Sequence, residues 1–193
     1  MDLTFTLTRA PVSPSTAQTA AVVLGAALCI ATVTDLRRRR IPNWVTFSAA
    51  AAGLALHAMG GGLSGFLSSL AGFLIWFGGG FAFWALSGGQ GIGAGDVKMA
   101  MACGALLGAW PTLYVFFLSN LAQVVYLFLR WIVNGTLVAN VRGVGRWLVS
   151  LLTPGTAVAH FQPVGMGDKT PHAPFMLIGA LVTLYLSREG MLP

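Results

Sequence analysis

The chain has 193 residues, 56% of them hydrophobic and only 8% charged, with a mean hydropathy of +0.78. A soluble domain carries about 25% charged residues, so the polar surface here is too small to cover a water-soluble globule, and that class is excluded. The formal net charge of +6 does not point to nucleic acid, because the basic residues cluster between apolar runs, as membrane topology determinants do.

A bilayer-crossing helix needs roughly 20 apolar residues, with a range of about 17–25. Residues 1–16 are polar and interrupted by Pro and Ser. The first apolar run, over 17–34, is followed by four arginines, Arg37 to Arg40, where a cleavable signal would have a small-residue cleavage site. It is therefore read as a span. A second span is predicted over 44–63, entered through Pro42 and Asn43, which suit a helix start. A third covers 65–86. The fourth, over 97–109, is short ahead of Trp110-Pro111, and a half-helix preceded by re-entrant glycine-rich backbone is the alternative there. The fifth runs over 112–133 and the sixth over 174–186. The expected fold class is an all-α polytopic membrane protein of about six transmembrane helices, forming one domain over 1–193. Small residues at 49–53, 60–62 and 78–80 are of the type that lets membrane helices approach closely.

Residues 134–170 form the one sizeable polar loop. Within it 141–152 places Arg142 and Arg146 four apart beside Trp147, Leu148, Leu151 and Leu152, the pattern of an amphipathic segment lying on the inner leaflet. Gly143 and Gly145 weaken its helical propensity. With six spans, Arg37 to Arg40, Lys98, Arg130, Arg142, Arg146 and Lys169 all fall on one side, leaving Arg9 and Arg188 opposite. By the positive-inside rule the richer side is cytoplasmic, with both termini outside.

The chain has five acidic residues: Asp2, Asp35, Asp96, Asp168 and Glu189. Asp35 closes the first apolar run and Asp96 opens the fourth, so the topology puts both at the same depth on the cytoplasmic side. A carboxylate at a bilayer-helix boundary costs a few kcal/mol on insertion scales and reads as functional. Asp96 follows Gly93 and Gly95, glycines that allow close backbone approach. Its place in a first helical turn exposes it to the positive end of the helix dipole. A second Gly-x-Gly-Asp, Gly165 to Asp168, is followed by Lys169-Thr170-Pro171, which is loop sequence. Asp96 is preferred, and Asp168 is read as a decoy or a secondary substrate contact. Cys29 and Cys103 lie in apolar runs and read as small buried hydrophobes. His57, His160 and His172 show no metal-ligand spacing, and no metal or cofactor is expected.

Asp35 followed by Ile41-Pro42-Asn43, then the distant Gly93-Ala94-Gly95-Asp96-Val97-Lys98, resembles the type IV prepilin peptidase family of GxGD aspartyl proteases. The resemblance covers nearly the whole chain, and Pro171-His172-Ala173-Pro174-Phe175 is similar to the family's Pro-aromatic-small-Pro element. It implies that Asp35 and Asp96 are the catalytic pair, with Gly93, Gly95, Lys98, Pro42 and Asn43 in support. Lys98 reads as a snorkelling anchor or a bias on the charge of Asp96. The resemblance also implies prepilin or pseudopilin substrates, cut at the cytoplasmic face of a bacterial inner membrane. The chain lacks the paired CxxC motifs and cytoplasmic domain of the longer, bifunctional members. It therefore looks like the short, peptidase-only form of tight-adherence (Flp-type) pilus systems, without N-methyltransferase activity. Membrane lipid is the other expected partner, with Arg37 to Arg40 facing headgroups.

The residues suit that chemistry. Two neighbouring carboxyls do not both ionise easily, so one retains a proton near neutral pH while the other activates water. Which of the two holds the proton is not legible at this level. A proton-coupled transporter would place its acids near the bilayer midplane in broken helices, whereas these two share one interface. A non-enzymatic pilus-assembly scaffold is the third reading, and retention of both aspartates argues against it.

Overall fold

A computed structural model describes residues 13–86, 93–152, 164 and 170–191. The described residues are helical throughout, without a strand, in six helices: α1 (Pro14–Arg38), α2 (Asn43–Leu86), α3 (Ala94–Leu107), α4 (Ala109–Val133), α5 (Leu137–Leu152) and α6 (Ala173–Arg188). Three of them, α1, α2 and α4, are long and apolar enough to cross a bilayer, and α6 is a shorter apolar helix. The large exposed hydrophobics, among them Val22, Leu63, Phe81, Phe117 and Leu181, are those of a chain whose surrounding solvent is lipid. The protein has the all-α fold of a membrane protein.

The expected boundaries shift in three places. The first helix does not stop at 34 but continues to Arg38, so Asp35 stands inside its last turn. Hydropathy marks where lipid ends, and the backbone ladder continues past that point. The joint between the second and third spans is Gly62, with φ 58° and ψ −145°, inside what is otherwise one continuous 44-residue helix. That conformation is open to glycine and strained for any other residue. Unbroken, α2 would be about 66 Å long, roughly twice the thickness of a hydrocarbon core. The short fourth helix ends at Leu107, and Gly108 (φ 86°) separates it from α4. Trp110 and Pro111 then fall in the first turn of α4, where proline is tolerated.

Gly62 turns α2 into a hairpin that grips α3. Along the first arm, Asn43 meets Lys98 and Gly53 meets Ala105, so this arm runs parallel to α3. Along the second arm, Gly72 meets Gly104 and Gly80 meets Val97, so it runs the other way. Gly72 and Gly104 are backbone to backbone, and a Cβ on either would collide with the other's carbonyl. This is how small residues replace a hydrophobic driving force between membrane helices. Two bonds across the crossing hold the hairpin in place: Ser69 Oγ donates to Ala105 O at 2.6 Å and Trp76 Nε1 to Ala109 O at 3.0 Å. Almost all of α3 is buried by this embrace, from Met99 to Leu106.

Helix α1 completes the core by packing on α2, α3 and α6, with Leu24, Leu28 and Ala31 fully buried beside Met101, Met176 and Ala180. Residues 13–120 and 171–191 thus form one compact unit holding Asp35, Asp96 and the start of α6. A second unit covers 121–170. In it, α5 begins four residues earlier than the amphipathic segment anticipated. Its buried Asn140 clamps Val164, donating to the carbonyl at 3.1 Å and accepting from the N–H at 2.7 Å. The second Gly-x-Gly-Asp motif, with Asp168, lies outside the described residues, as does the glycine-rich stretch 87–92 ahead of the fourth span.

Candidate active site

Gly93 is the N-cap of α3 and Asp96 stands three residues on, the spacing of a capping box. The carboxyl of Asp96 folds back to accept the backbone N–H of Gly93. A Cβ at position 93 would approach Asp96 Oδ2 to 2.9 Å, so the glycine leaves room for this fold-back. Gly95 lies against the side chain of Ile41, 3.4 Å from where its own Cβ would be, which seats the start of α3 on the linker between α1 and α2. In that linker Arg39 is left-handed (φ 52°) and closes α1 by donating its N–H to Asp35 O at 2.9 Å. Pro42 stands just ahead of α2, its carbonyl accepting from Val45 N and Thr46 N.

Asp35 is buried, only 8% exposed, and Asp96 is half-buried. The two come from helices 61 residues apart in sequence yet meet electrostatically: the negative charge of Asp35 acts on Asp96. Asp96 stands ahead of the apolar run of α3. Burial, and after it the charge of Asp35, pushes its carboxyl up to about 6, against the Gly93 N–H that favours ionisation. A carboxyl that titrates near 6 is available as a proton donor in a range where an ordinary aspartate is not.

Lys98, a half-buried residue one turn after Gly95, does not reach Asp96 through any described bond. Its Nζ donates to Asn43 Oδ1 at 2.9 Å and lies 6.0 Å over the Phe47 ring. It ties the first turn of α2 to the first turn of α3. Lys98 and Asn43, both marked in the sequence as supporting residues, are therefore partners of each other.

The start of α6 supplies what the sequence reading left without a role. Asp35 Oδ2 accepts the backbone N–H of Ala173 at 3.1 Å, and Ala173 is completely buried. His172, the N-cap of α6, stands edge-on to Phe116 with ring centroids 6.4 Å apart. Burial lowers its imidazole from the usual range, and the charge of Asp35 opposes the shift. The sequence carried a signal for this segment in Pro171-His172-Ala173-Pro174-Phe175, with Pro174 at the head of a helix. Among the described residues no group of three metal-ligating side chains converges.

The type IV leader peptidase family model matches residues 22–128, more than half of the chain and including both aspartates. The chain belongs to the type IV leader peptidase family. No curated protein and no solved structure matches it. The match ends before Ala173, so of the two partners in the contact between α6 and Asp35 it covers Asp35 alone.

Proposed function

We propose that this leader peptidase family member is an aspartic endopeptidase whose catalytic pair is Asp35 and Asp96, cutting the leader from type IV prepilin-like proteins, of the Flp type, at the cytoplasmic face of a bacterial inner membrane. The observation that carries this reading is the placing of two carboxyls, Asp35 at the end of α1 and Asp96 at the start of α3, near enough for the charge of one to act on the other. One carboxylate takes a proton from water, and the resulting hydroxide attacks the scissile carbonyl carbon while the protonated partner gives its proton to the developing oxyanion. The tetrahedral intermediate collapses with cleavage of the C–N bond. The departing nitrogen takes the proton that came from water, and the partner recovers its own from the diol. The pair ends the cycle as it began, holding one proton.

Family membership supports the substrate class. A leader followed by an apolar helix can lie in the lipid beside α1, presenting its cut site at the level of Asp35 and Asp96. Six passes of the membrane, with the hairpin of α2 contributing two, would put Arg37 to Arg40 and both aspartates on the cytoplasmic side. In that arrangement α5, with Arg142 and Arg146 exposed, lies along the inner leaflet. Co-expression with a panel of prepilin-like substrates, followed by mass spectrometry of their N-termini, tests the assignment. Leader removal that requires this protein supports it, and intact leaders on every Flp-type substrate would refute the substrate class.

A further inference from the structure

Asp35 occupies an unfavourable place on its own helix. It is in the last turn of α1, where the helix dipole presents its negative end and a carboxylate is disfavoured. The start of a second helix opposes that field. Ala173 opens α6, and its N–H is one of the donors that a helix start leaves without a partner in the helix. Pro174 has no N–H, and those of Phe175 and Met176 both go to His172 O, at 3.0 and 3.1 Å. That leaves the N–H of Ala173 to Asp35, in a bond between two buried groups, where it is worth most. A backbone N–H accepted by a carboxyl favours its ionised form.

Asp96 is treated differently. Its N–H bond comes from Gly93 at its own helix start, and this does not offset its burial beside Asp35. The other titratable groups around Asp35 do not reverse the difference. Helix α2 carries only His57, buried and bonded to Gly53 O in mid-helix. On α3, Lys98 is bonded to Asn43. His172 at the head of α6 is shifted toward the neutral form by burial. Arg37 to Arg40 on the same chain end are exposed to solvent.

Given the aspartyl peptidase reading, we infer that the pair is asymmetric: the N–H of Ala173 at the start of α6 is a positioning group that holds the Asp35 carboxyl as a hydrogen-bond acceptor, so Asp35 is the general base and Asp96 the general acid. Asp35 takes the proton from water, and Asp96 gives its proton to the oxyanion. Helix α6 then has a chemical task beyond packing, since it selects which carboxyl activates water.

The test replaces the Ala173 amide by an ester, through incorporation of lactic acid at position 173 of the full-length protein, which deletes the N–H and keeps the methyl group. The acidic limb of the kcat/KM profile reports the base of the free enzyme. It is expected to move up by roughly one to two pH units, a ten- to hundredfold change in ionisation, with the alkaline limb nearly in place. Movement of the alkaline limb instead, or of neither, overturns the assignment. A second measurement needs no variant. An active-site epoxide is opened by a carboxylate, and a diazo reagent esterifies a protonated carboxyl. At pH 5, below the titration of Asp96, the epoxide adduct is expected on Asp35 and the diazo adduct on Asp96, read by peptide mass spectrometry, and the reverse mapping overturns the proposal. Wild-type-like cleavage by Asp35→Asn or Asp96→Asn would instead refute the aspartyl reading itself, a result distinct from either outcome above.

Discussion

The side chain of Asp35 and the backbone N–H of Ala173, 138 residues apart in sequence, are joined by a 3.1 Å hydrogen bond in the protein interior. Through this bond the last turn of α1 and the first turn of α6 share one charge. The other carboxyl of the pair arrives on α3, whose position is set by the two arms of α2. Four chain segments thus converge around the two carboxyls, and each arrives for a reason written in local sequence: a run that ends in arginines, a Gly-Ala-Gly-Asp helix start, a helix head containing proline, and a glycine that turns a hairpin.

The raised Asp96 carboxyl fixes the sign of one pH dependence. An acid that must hold its proton works below its titration point, so kcat/KM should fall as pH rises through about 6. Removing the charge of Asp35 removes one cause of the shift. In Asp35→Asn the titration of Asp96, followed by the carboxyl carbon resonance, should move down toward the ordinary aspartate range. An unmoved titration would mean that the two carboxyls do not interact.

The same shift makes Asp96 a liability for stability at neutral pH. Its folded-state value lies above the unfolded one, so its contribution is fully present below the unfolded value of 3.8 and is lost as pH rises through about 6. Asp96→Asn should therefore be more stable than wild type near pH 7, by on the order of 1 kcal/mol once the partial exposure of the group is allowed for. The difference should shrink toward pH 4. Thermal unfolding in detergent at the two pH values measures it, and destabilisation at pH 7 would contradict the electrostatic picture.

Lys98 and Asn43 bond each other, and their loss should be non-additive. Lys98→Met and Asn43→Ala should each lower kcat/KM by roughly two- to fivefold, the value of one partly exposed hydrogen bond. The double variant should be no worse than either single one. Losses that multiply in the double variant would show that the two residues act separately.

How much of this was legible in the sequence depends on what kind of group carries each contact. Apolar runs gave α1, the two arms of α2 and α4 to within a few residues, because burial in lipid demands long uninterrupted hydrophobic stretches. The placing of Asp35 and Asp96 at helix ends was legible too, since a carboxylate is tolerated at the edge of an apolar run and costly inside it. The end of α1 was not, because hydrogen bonding carries the helix through Asp35 to Arg38 after hydropathy has ended. The bond from Ala173 is carried by a backbone N–H, which every residue but proline has, so no side chain advertised it. Lys98 and Asn43 were each marked, but a long flexible cation has many partners within reach, and sequence does not choose among them.

The hairpin makes a packing prediction. Gly104 faces the backbone of Gly72 with no room for a side chain. Gly104→Leu should force α3 away from the second arm of α2 and cost several kcal/mol, enough to abolish stable expression. Gly78→Ala, at a glycine with open space around it, should be tolerated. Equal expression of the two variants would contradict the close crossing.

The central claim is that Asp35 and Asp96 act as one catalytic pair, and a single comparison tests it most directly. Wild type, Asp35→Asn and Asp96→Asn are purified in detergent, each shown to be folded by cooperative thermal unfolding and matching secondary structure, and given a prepilin-like substrate whose new N-terminus is read by mass spectrometry. Each substitution should lower kcat by at least a thousandfold with folding intact, because neither carboxyl alone completes the proton relay. Cleavage within tenfold of wild type by either variant would contradict the claim.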